Sequence, residues 1–256
     1  MCTVTIVPTV PMARGRVGRW CMACSRDESH GRAAAQPPTS CVINGRRVLM
    51  PIDPSSGGTW VAVNDAGLAL TLLNYNLPDP PAGRTRSRGE VIPSLMGCAT
   101  AKEVLDLLPS IDAHEMMPFR LVLCDGHGVF FWRSTEPAML TEGVIGVPFW
   151  SPEMFTSSGL GDHLVEPPRR ALFDGWFGSD PAVYEARQLA FHQHRWDDRP
   201  HLSVAMSRED ARTVSYTTVE VTPDAVTMRY HPDRPDLPAQ DVEVSLQRKP
   251  NTPVCP

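Results

Sequence analysis

The sequence predicts a layered α+β fold built on antiparallel sheets, and three observations lead there. Strand-like runs joined by short turns fill the first third. Capped helical segments follow, and hairpins return toward the end, without the regular strand–helix alternation that a parallel doubly wound sheet requires. At 256 residues, 42% of them hydrophobic, the chain can close a core of substantial size.

The elements follow in order. Cys2 to Val7 is β-branched and alternates apolar with polar residues, and Arg19 to Cys24 reads the same way. Ile52 to Gly58 is turn material, after which Thr59–Val63 and the almost wholly apolar Leu68–Tyr75 form a hairpin around Asn64-Asp65-Ala66-Gly67. Ser87-Arg88-Gly89-Glu90 opens a short helix through Met96 that Pro93 limits. Thr100 with Glu103 makes a capping box ahead of Val104, Leu105, Leu107 and Leu108. A second hairpin joins Arg120–Cys124 to Val129–Trp132. A helix starts at the Asp180 cap with Pro181 in its first position and runs to about His192. Thr213–Val221 and Val226–Tyr230 form a third hairpin, and Val242–Leu246 can add an edge strand to a tail rich in proline and aspartate.

Composition excludes several classes. A net charge of −5 leaves no electrostatic footprint for nucleic acid. No run approaches the ~20 apolar residues of a membrane-spanning helix, and the N-terminal segment, with two prolines in a short apolar run, is not a signal peptide. The expectation is a cytoplasmic protein. Its seven scattered cysteines are an odd number, which suits free thiols better than a disulfide framework.

Cys2 is the candidate nucleophile. Removal of Met1 would give this residue a free α-amine beside its thiol. That amine has a pKa of about 7.7–8.0, so one residue can supply nucleophile and general base together. In Cys24-Ser25-Arg26-Asp27-Glu28 a guanidinium can favour the thiolate and a carboxylate can hold the amine, although a surface turn with solvated ion pairs fits the same residues. Asn74, ending a buried apolar strand, carries an amide that can donate to a developing oxyanion or cap nearby backbone. Cys21 and Cys24 have the spacing of a redox or zinc pair, but no second pair accompanies them. His192, His194 and His201 read as a solvated loop rather than a metal or haem site.

Met1-Cys2-Thr3, Ser25-Arg26-Asp27-Glu28, Gly57-Gly58-Thr59-Trp60, the Gly67-to-Tyr75 strand and Ser87-Arg88-Gly89-Glu90 occur in the order seen in the NRDE family, that of the transport and Golgi organisation protein. The resemblance continues more faintly through Thr156–Leu160 to Arg212–Thr217. It covers residues 1–231 and leaves 232–256 as a peripheral tail. That family is itself similar to Ntn hydrolases of the penicillin V acylase and bile salt hydrolase type.

The resemblance implies a four-layer αββα sandwich with Cys2 as nucleophile and Asn74 as oxyanion donor. It further implies an Arg26–Asp27 pair near the amine and Arg212 completing the site. Ser158, Tyr75 and Ser25 are the positions expected to touch substrate. Ser157 or Ser158 stands where the acylases use a second asparagine, and Ser25 where the family tetrad begins with asparagine. The implied reaction is hydrolysis or acyl transfer on a small linear amide or acyl compound through a thioester, with no metal or organic cofactor. The rival implication is a non-enzymatic carrier of haem, lipid or acyl-CoA in the same cleft, with Met22, Met96, Met116 and Met117 as candidate lining.

Overall fold

Alternation along the first strand sets the layering. In β1 (Cys2–Pro11), Cys2, Val4 and Ile6 enter an apolar core, while Thr3 and Thr5 make their hydrogen bonds on the opposite face. The computed structural model describes residues 2–11, 17–79, 82–136, 144–148, 151–178 and 180–249.

β1 belongs to a six-stranded antiparallel sheet. Its other members are β2 (Val17–Ser29), β10 (Glu153–Thr156), β11 (Ala211–Val221), β12 (Ala225–His231) and β13 (Val242–Gln247), in the order β10-β1-β2-β11-β12-β13. A second antiparallel sheet runs in simple sequence order. It comprises β3 (Gln36–Ile43), β4 (Arg46–Ile52), β5 (Val61–Asn64), β6 (Ala69–Asn74), β7 (Phe119–Cys124), β8 (Gly128–Arg133) and β9 (Val144–Pro148).

The two sheets face each other across a core that includes Val4, Ile6 and Met22 from one and Leu49, Val63, Leu73 and Val122 from the other. Helices α1 (Val91–Leu95) and α2 (Ala101–Leu107) cover the outer face of the seven-stranded sheet, where Ile92, Leu95, Val104 and Leu105 meet Leu68, Leu70, Leu121 and Leu123. Helices α3 (Asp162–Trp176) and α4 (Tyr184–Gln193) cover the other sheet, with Phe173 and Phe191 packed against Met154 and Val204. Helix, sheet, sheet, helix: the expected αββα sandwich is the observed architecture. No described helix is long and apolar enough to cross a membrane.

Local chemistry explains most of the boundaries. Thr100 accepts from the Glu103 N–H at 3.2 Å, while Glu103 reaches back to the Ala99 N–H at 2.7 Å. Ser87 caps a single 3₁₀ turn before α1. The Asp180 carboxylate accepts from the Ala182 N–H at 3.0 Å, and a 3₁₀ turn at Pro181–Val183 precedes α4. Val242–Gln247 does form an edge strand, paired with β12, whereas 250–256, including Cys255, lie outside the described residues.

Three features depart from the sequence reading. β2 does not stop at Cys24 but continues to Ser29, so Ser25-Arg26-Asp27-Glu28 is strand rather than turn. The β3–β4 hairpin was not anticipated, although Asn44-Gly45, with φ of 48° and 83°, is a strong hairpin turn signal. α3 is a helix that the sequence reading does not include, and it contains Pro167 and Pro168, which local chemistry disfavours there. Val165, Arg169 and Phe173, spaced four apart, bury one face of that helix, and tertiary packing outweighs the lost backbone hydrogen bonds.

One contact in this fold bears on everything near Cys2. The loops carrying Gly57-Gly58-Thr59-Trp60 and Ser87-Arg88-Gly89-Glu90 cross backbone to backbone, with the Thr59 N–H donating to the Gly89 carbonyl at 3.2 Å. A Cβ on Gly58 would lie 2.5 Å from the Gly89 main chain, which cannot swing aside as a side chain can. Gly58→Ala should therefore cost about 1–3 kcal/mol of stability in urea denaturation. Gly31→Ala, which meets no atom within 4 Å, should stay within roughly 0.5 kcal/mol of the parent protein.

Candidate active site

Antiparallel pairing of β1 with β2 puts Cys2 opposite Arg26 and Val4 opposite Cys24. Cys2 and Arg26 line a small cavity of about 100 Å³ between the sheets. Asn74 at the end of β6 lines it too, together with Leu72, Trp60, Asp53, Glu28, Arg32 and Arg88. Cys2 is 5% exposed, so the sulfur is sheltered but meets the cavity.

The Cys2 thiol is held below its ordinary pKa. The chief cause is a hydrogen bond from the Cys24 thiol; burial and the Asp27 carboxylate oppose it, and the Arg26 charge assists. Cys24 is correspondingly pushed well above the usual thiol range by that same hydrogen bond and by burial. Proton and charge are thus divided unequally, with Cys2 the easier of the two to ionise.

Asp53 organises the cationic wall. Its carboxylate accepts from Arg26 at 2.6 Å, from Arg32 at 2.6 Å and from the Ser55 N–H at 2.9 Å. Burial alone would raise its pKa, but these bonds and charges win and hold it below the usual value. Arg26 also lies over the Trp60 ring, 4.2 Å from its centroid. Arg88 donates to the Pro118 carbonyl at 3.2 Å, and its guanidinium pKa is lowered by burial. Trp60 Nε1 is buried with no hydrogen-bond partner among the described residues.

Behind β1 a polar layer fixes β1, β2, β10 and β11 against the helices. Arg169, fully buried on α3, donates to Thr3 Oγ1 at 2.6 Å, Thr156 Oγ1 at 2.8 Å and the Ser203 carbonyl at 2.6 Å. Desolvation lowers its pKa to about 10, while the charge of Asp27 works the other way. Asp27 is buried and accepts from Thr213 Oγ1 at 2.6 Å; burial raises its pKa, and the charge of Arg169 is the largest influence against that. His192 bridges Thr5 and Ser25, at 2.8 and 2.7 Å, and burial depresses its pKa to about 3.

The sequence-predicted residues therefore divide. Cys2, Arg26 and Asn74 meet at one cavity. Asp27 is on the reverse face of β2, within electrostatic influence of Cys2. Ser157, not Ser158, touches Cys2: its hydroxyl accepts from the Cys2 N–H at 3.3 Å, and its own N–H donates to the Cys2 carbonyl at 2.9 Å. Ser158 instead receives the Leu160 N–H at its hydroxyl and Asn76 at its carbonyl. Tyr75 sits under the guanidinium groups of Arg120 and Arg133 and does not line the cavity. Ser25 faces His192.

Arg212, expected to complete the site, is paired with Asp233 and lies outside the cavity wall. His192 is a fully buried residue of α4, which corrects its reading as part of a solvated loop. Sequence reasoning gave no role to Arg88, Asp53, Trp60 or Arg169. The first and third lie in motifs already singled out. Asp53 sits in a turn with no motif signal, and Arg169 is a polar residue on the buried face of a proline-containing helix.

A larger groove of about 940 Å³ opens on the outer face of the six-stranded sheet, remote from Cys2. Its charged side chains are mutually paired, Arg19 with Glu220, Arg229 with Glu243 and His231 with Asp241. None of the expected catalytic residues lines it, so the smaller cavity is the candidate site.

The sequence profile of Transport and Golgi organisation 2 matches residues 1–151, and the chain belongs to that family. Among curated proteins none matches the sequence. Among solved structures, a variant of the conjugated bile acid hydrolase from Clostridium perfringens is similar, with a TM-score of 0.51, 13% identity and 97% of each chain covered. The Caenorhabditis elegans ortholog of N-acylethanolamine-hydrolyzing acid amidase is similar too, with a TM-score of 0.50 and 11% identity over 92% of this chain and 94% of the other. At these identities the likeness establishes the Ntn-hydrolase fold.

His192 offers a check on the packing around the site. Its folded pKa of about 3 lies below the ordinary 6.5, so the unfolded chain binds the extra proton between those values. Stability is then complete above about pH 6.5 and is lost as pH falls toward 3, with a slope of up to about 1.4 kcal/mol per pH unit. Urea denaturation from pH 7 to 4.5 should show a shallower decline for His192→Gln than for the parent protein.

Proposed function

We propose that the protein is an N-terminal-nucleophile amidohydrolase or acyltransferase for a small acyl compound, acting through a thioester on Cys2. The observation that carries this reading is the convergence of Cys2 and Asn74 on one cavity whose wall is lined with guanidinium groups. With Met1 removed, the α-amine of Cys2 takes the thiol proton and the thiolate attacks the acyl carbon. Asn74 Nδ2–H donates to the oxygen as negative charge develops there. The tetrahedral species collapses with cleavage of the carbon–nitrogen or carbon–oxygen bond, and the leaving group takes the proton back from the α-ammonium. Water, or an acceptor nucleophile, then resolves the thioester.

Arg26 and Arg88 supply positive charge beside the sulfur, and Ser157 and Asp27 hold and polarise the amine. Arg88 thereby fills the part expected of Arg212. The chemistry as drawn uses no metal or organic cofactor. A cytoplasmic setting, where thiols stay reduced, belongs to the same reading.

The described wall, which sets Arg26, Arg32, Arg88, Glu28 and Asp53 beside Trp60 and Leu72, suits a small polar acyl compound better than the apolar face of haem or a lipid chain. Met22, Met96 and Met116 are buried in the cores and Met117 is exposed, so none of the four lines the cavity.

Intact mass before and after a thiol-selective electrophile is the first test. Loss of Met1 with faster labelling of Cys2 than of the other cysteines is expected; a retained Met1, or a Cys2 no faster than the rest, sinks the mechanism. In a screen of small amides and esters, Cys2→Ala should abolish turnover. Asn74→Ala should lower kcat by about 10²–10³-fold with intact folding.

A further inference from the structure

Cys24 forms no bond to substrate in the acyl chemistry, where it acts only on the ionisation of Cys2, yet it occupies a distinctive position. Val4 is its partner across the β1–β2 pair and Arg26 is the partner of Cys2, so the two cysteines form a diagonal pair on neighbouring strands. Both belong to the core between the sheets, both are free thiols, and each influences the ionisation of the other. Cys2 meets the cavity, while Cys24 is wholly buried behind it. An oxidant that reaches the first sulfur therefore finds the second one adjacent and shielded from solvent.

We infer that Cys2 and Cys24 constitute a peroxide-oxidisable dithiol, in which Cys24 resolves an oxidised Cys2 as an intramolecular disulfide bridging β1 and β2. In the first step the Cys2 thiolate attacks a hydroperoxide oxygen. The O–O bond breaks, hydroxide (or alkoxide) leaves and is protonated by solvent, and Cys2 becomes a sulfenic acid. In the second the Cys24 sulfur attacks the Cys2 sulfur. The S–O bond breaks, and the departing hydroxyl carries off the Cys24 proton as water. Two thiols lose two electrons, the peroxide gains them, and a dithiol reductant reverses the change.

The ready ionisation of Cys2 favours the first step, and the diagonal placement of Cys24 on the same inner face of the β1–β2 pair favours the second over further oxidation to sulfinic acid. Cys21 is the nearer competitor in sequence, but it faces the opposite side of β2 and lines the outer groove. The inference uses only the two side chains. It therefore stands or falls separately from removal of Met1 and from any hydrolase activity.

The test is peptide mapping of the purified full-length protein after a several-fold molar excess of hydrogen peroxide, with alkylation of the remaining thiols. A cross-linked peptide joining Cys2 to Cys24, lighter by two hydrogens and returned to two alkylatable thiols by dithiothreitol, is the expected result. Cys24→Ala, treated alike, should carry sulfinic or sulfonic acid at Cys2 that dithiothreitol does not reverse. Irreversible oxidation of Cys2 in the parent protein, or a disulfide from Cys2 to any other cysteine, would overturn the inference. So would recovery of Cys2 as a free thiol after peroxide has oxidised other cysteines. The parent protein alone decides the matter should Cys24→Ala fail to fold.

Discussion

The register between β1 and β2 is the constraint on which the site depends. Side chains alternate faces along a strand, so a slip of β1 by one residue would turn Cys2 away from the cavity and bring Thr3 into it. Two different environments oppose such a slip. On the inner face Val4, Ile6 and Met22 are completely buried in the main core. On the outer face Thr3, Thr5 and Ser25 have specific partners in Arg169 and His192. Apolar burial supplies most of the driving force, while the polar partners make the wrong register costly, because each would be left desolvated without its bond.

That outer layer is rich in buried ionisable groups. A guanidinium, an imidazole and a carboxylate all lie under helices rather than at the surface. Arg169 is tolerated because two threonine hydroxyls and two main-chain carbonyls receive its donors. His192 is tolerated by remaining neutral, one ring nitrogen to each hydroxyl. The helices are therefore fastened to the sheet by directional bonds as well as by Phe173 and Phe191. This gives the strand ends carrying Cys2 and Ser157 a rigid support.

The architecture was legible in the sequence because its strongest signals were local. Capping at Thr100, the Asn64–Gly67 turn and alternation in Cys2–Val7 each rest on neighbouring residues, and each appears where expected. α3 was not legible, since proline chemistry argues against a helix there and only its buried face argues for one. The site was legible in part. Cys2, Arg26 and Asn74 stand at strand ends or on an inward face, so pattern and chemistry agree. Arg212 misled because an arginine in a strand looks alike whether it points to a cavity or to Asp233. Asp53, which gathers Arg26 and Arg32, sits in a turn where an aspartate is unremarkable, and only three-dimensional proximity distinguishes it.

The crossing of Gly58 over Gly89 has a bearing on how this protein can change over evolutionary time. Where side chains rim an opening, single substitutions can trim or enlarge it stepwise. Here part of the rim is main chain: a Cβ on Gly58 would meet the Gly89 backbone at 2.5 Å, and one on Gly89 would press on Gly58 at 3.0 Å. A new cavity shape would therefore arise more readily elsewhere on the wall, at Leu72 or Trp60, or by re-partnering the arginines. The aperture would stay nearly fixed while the chemistry behind it diversified.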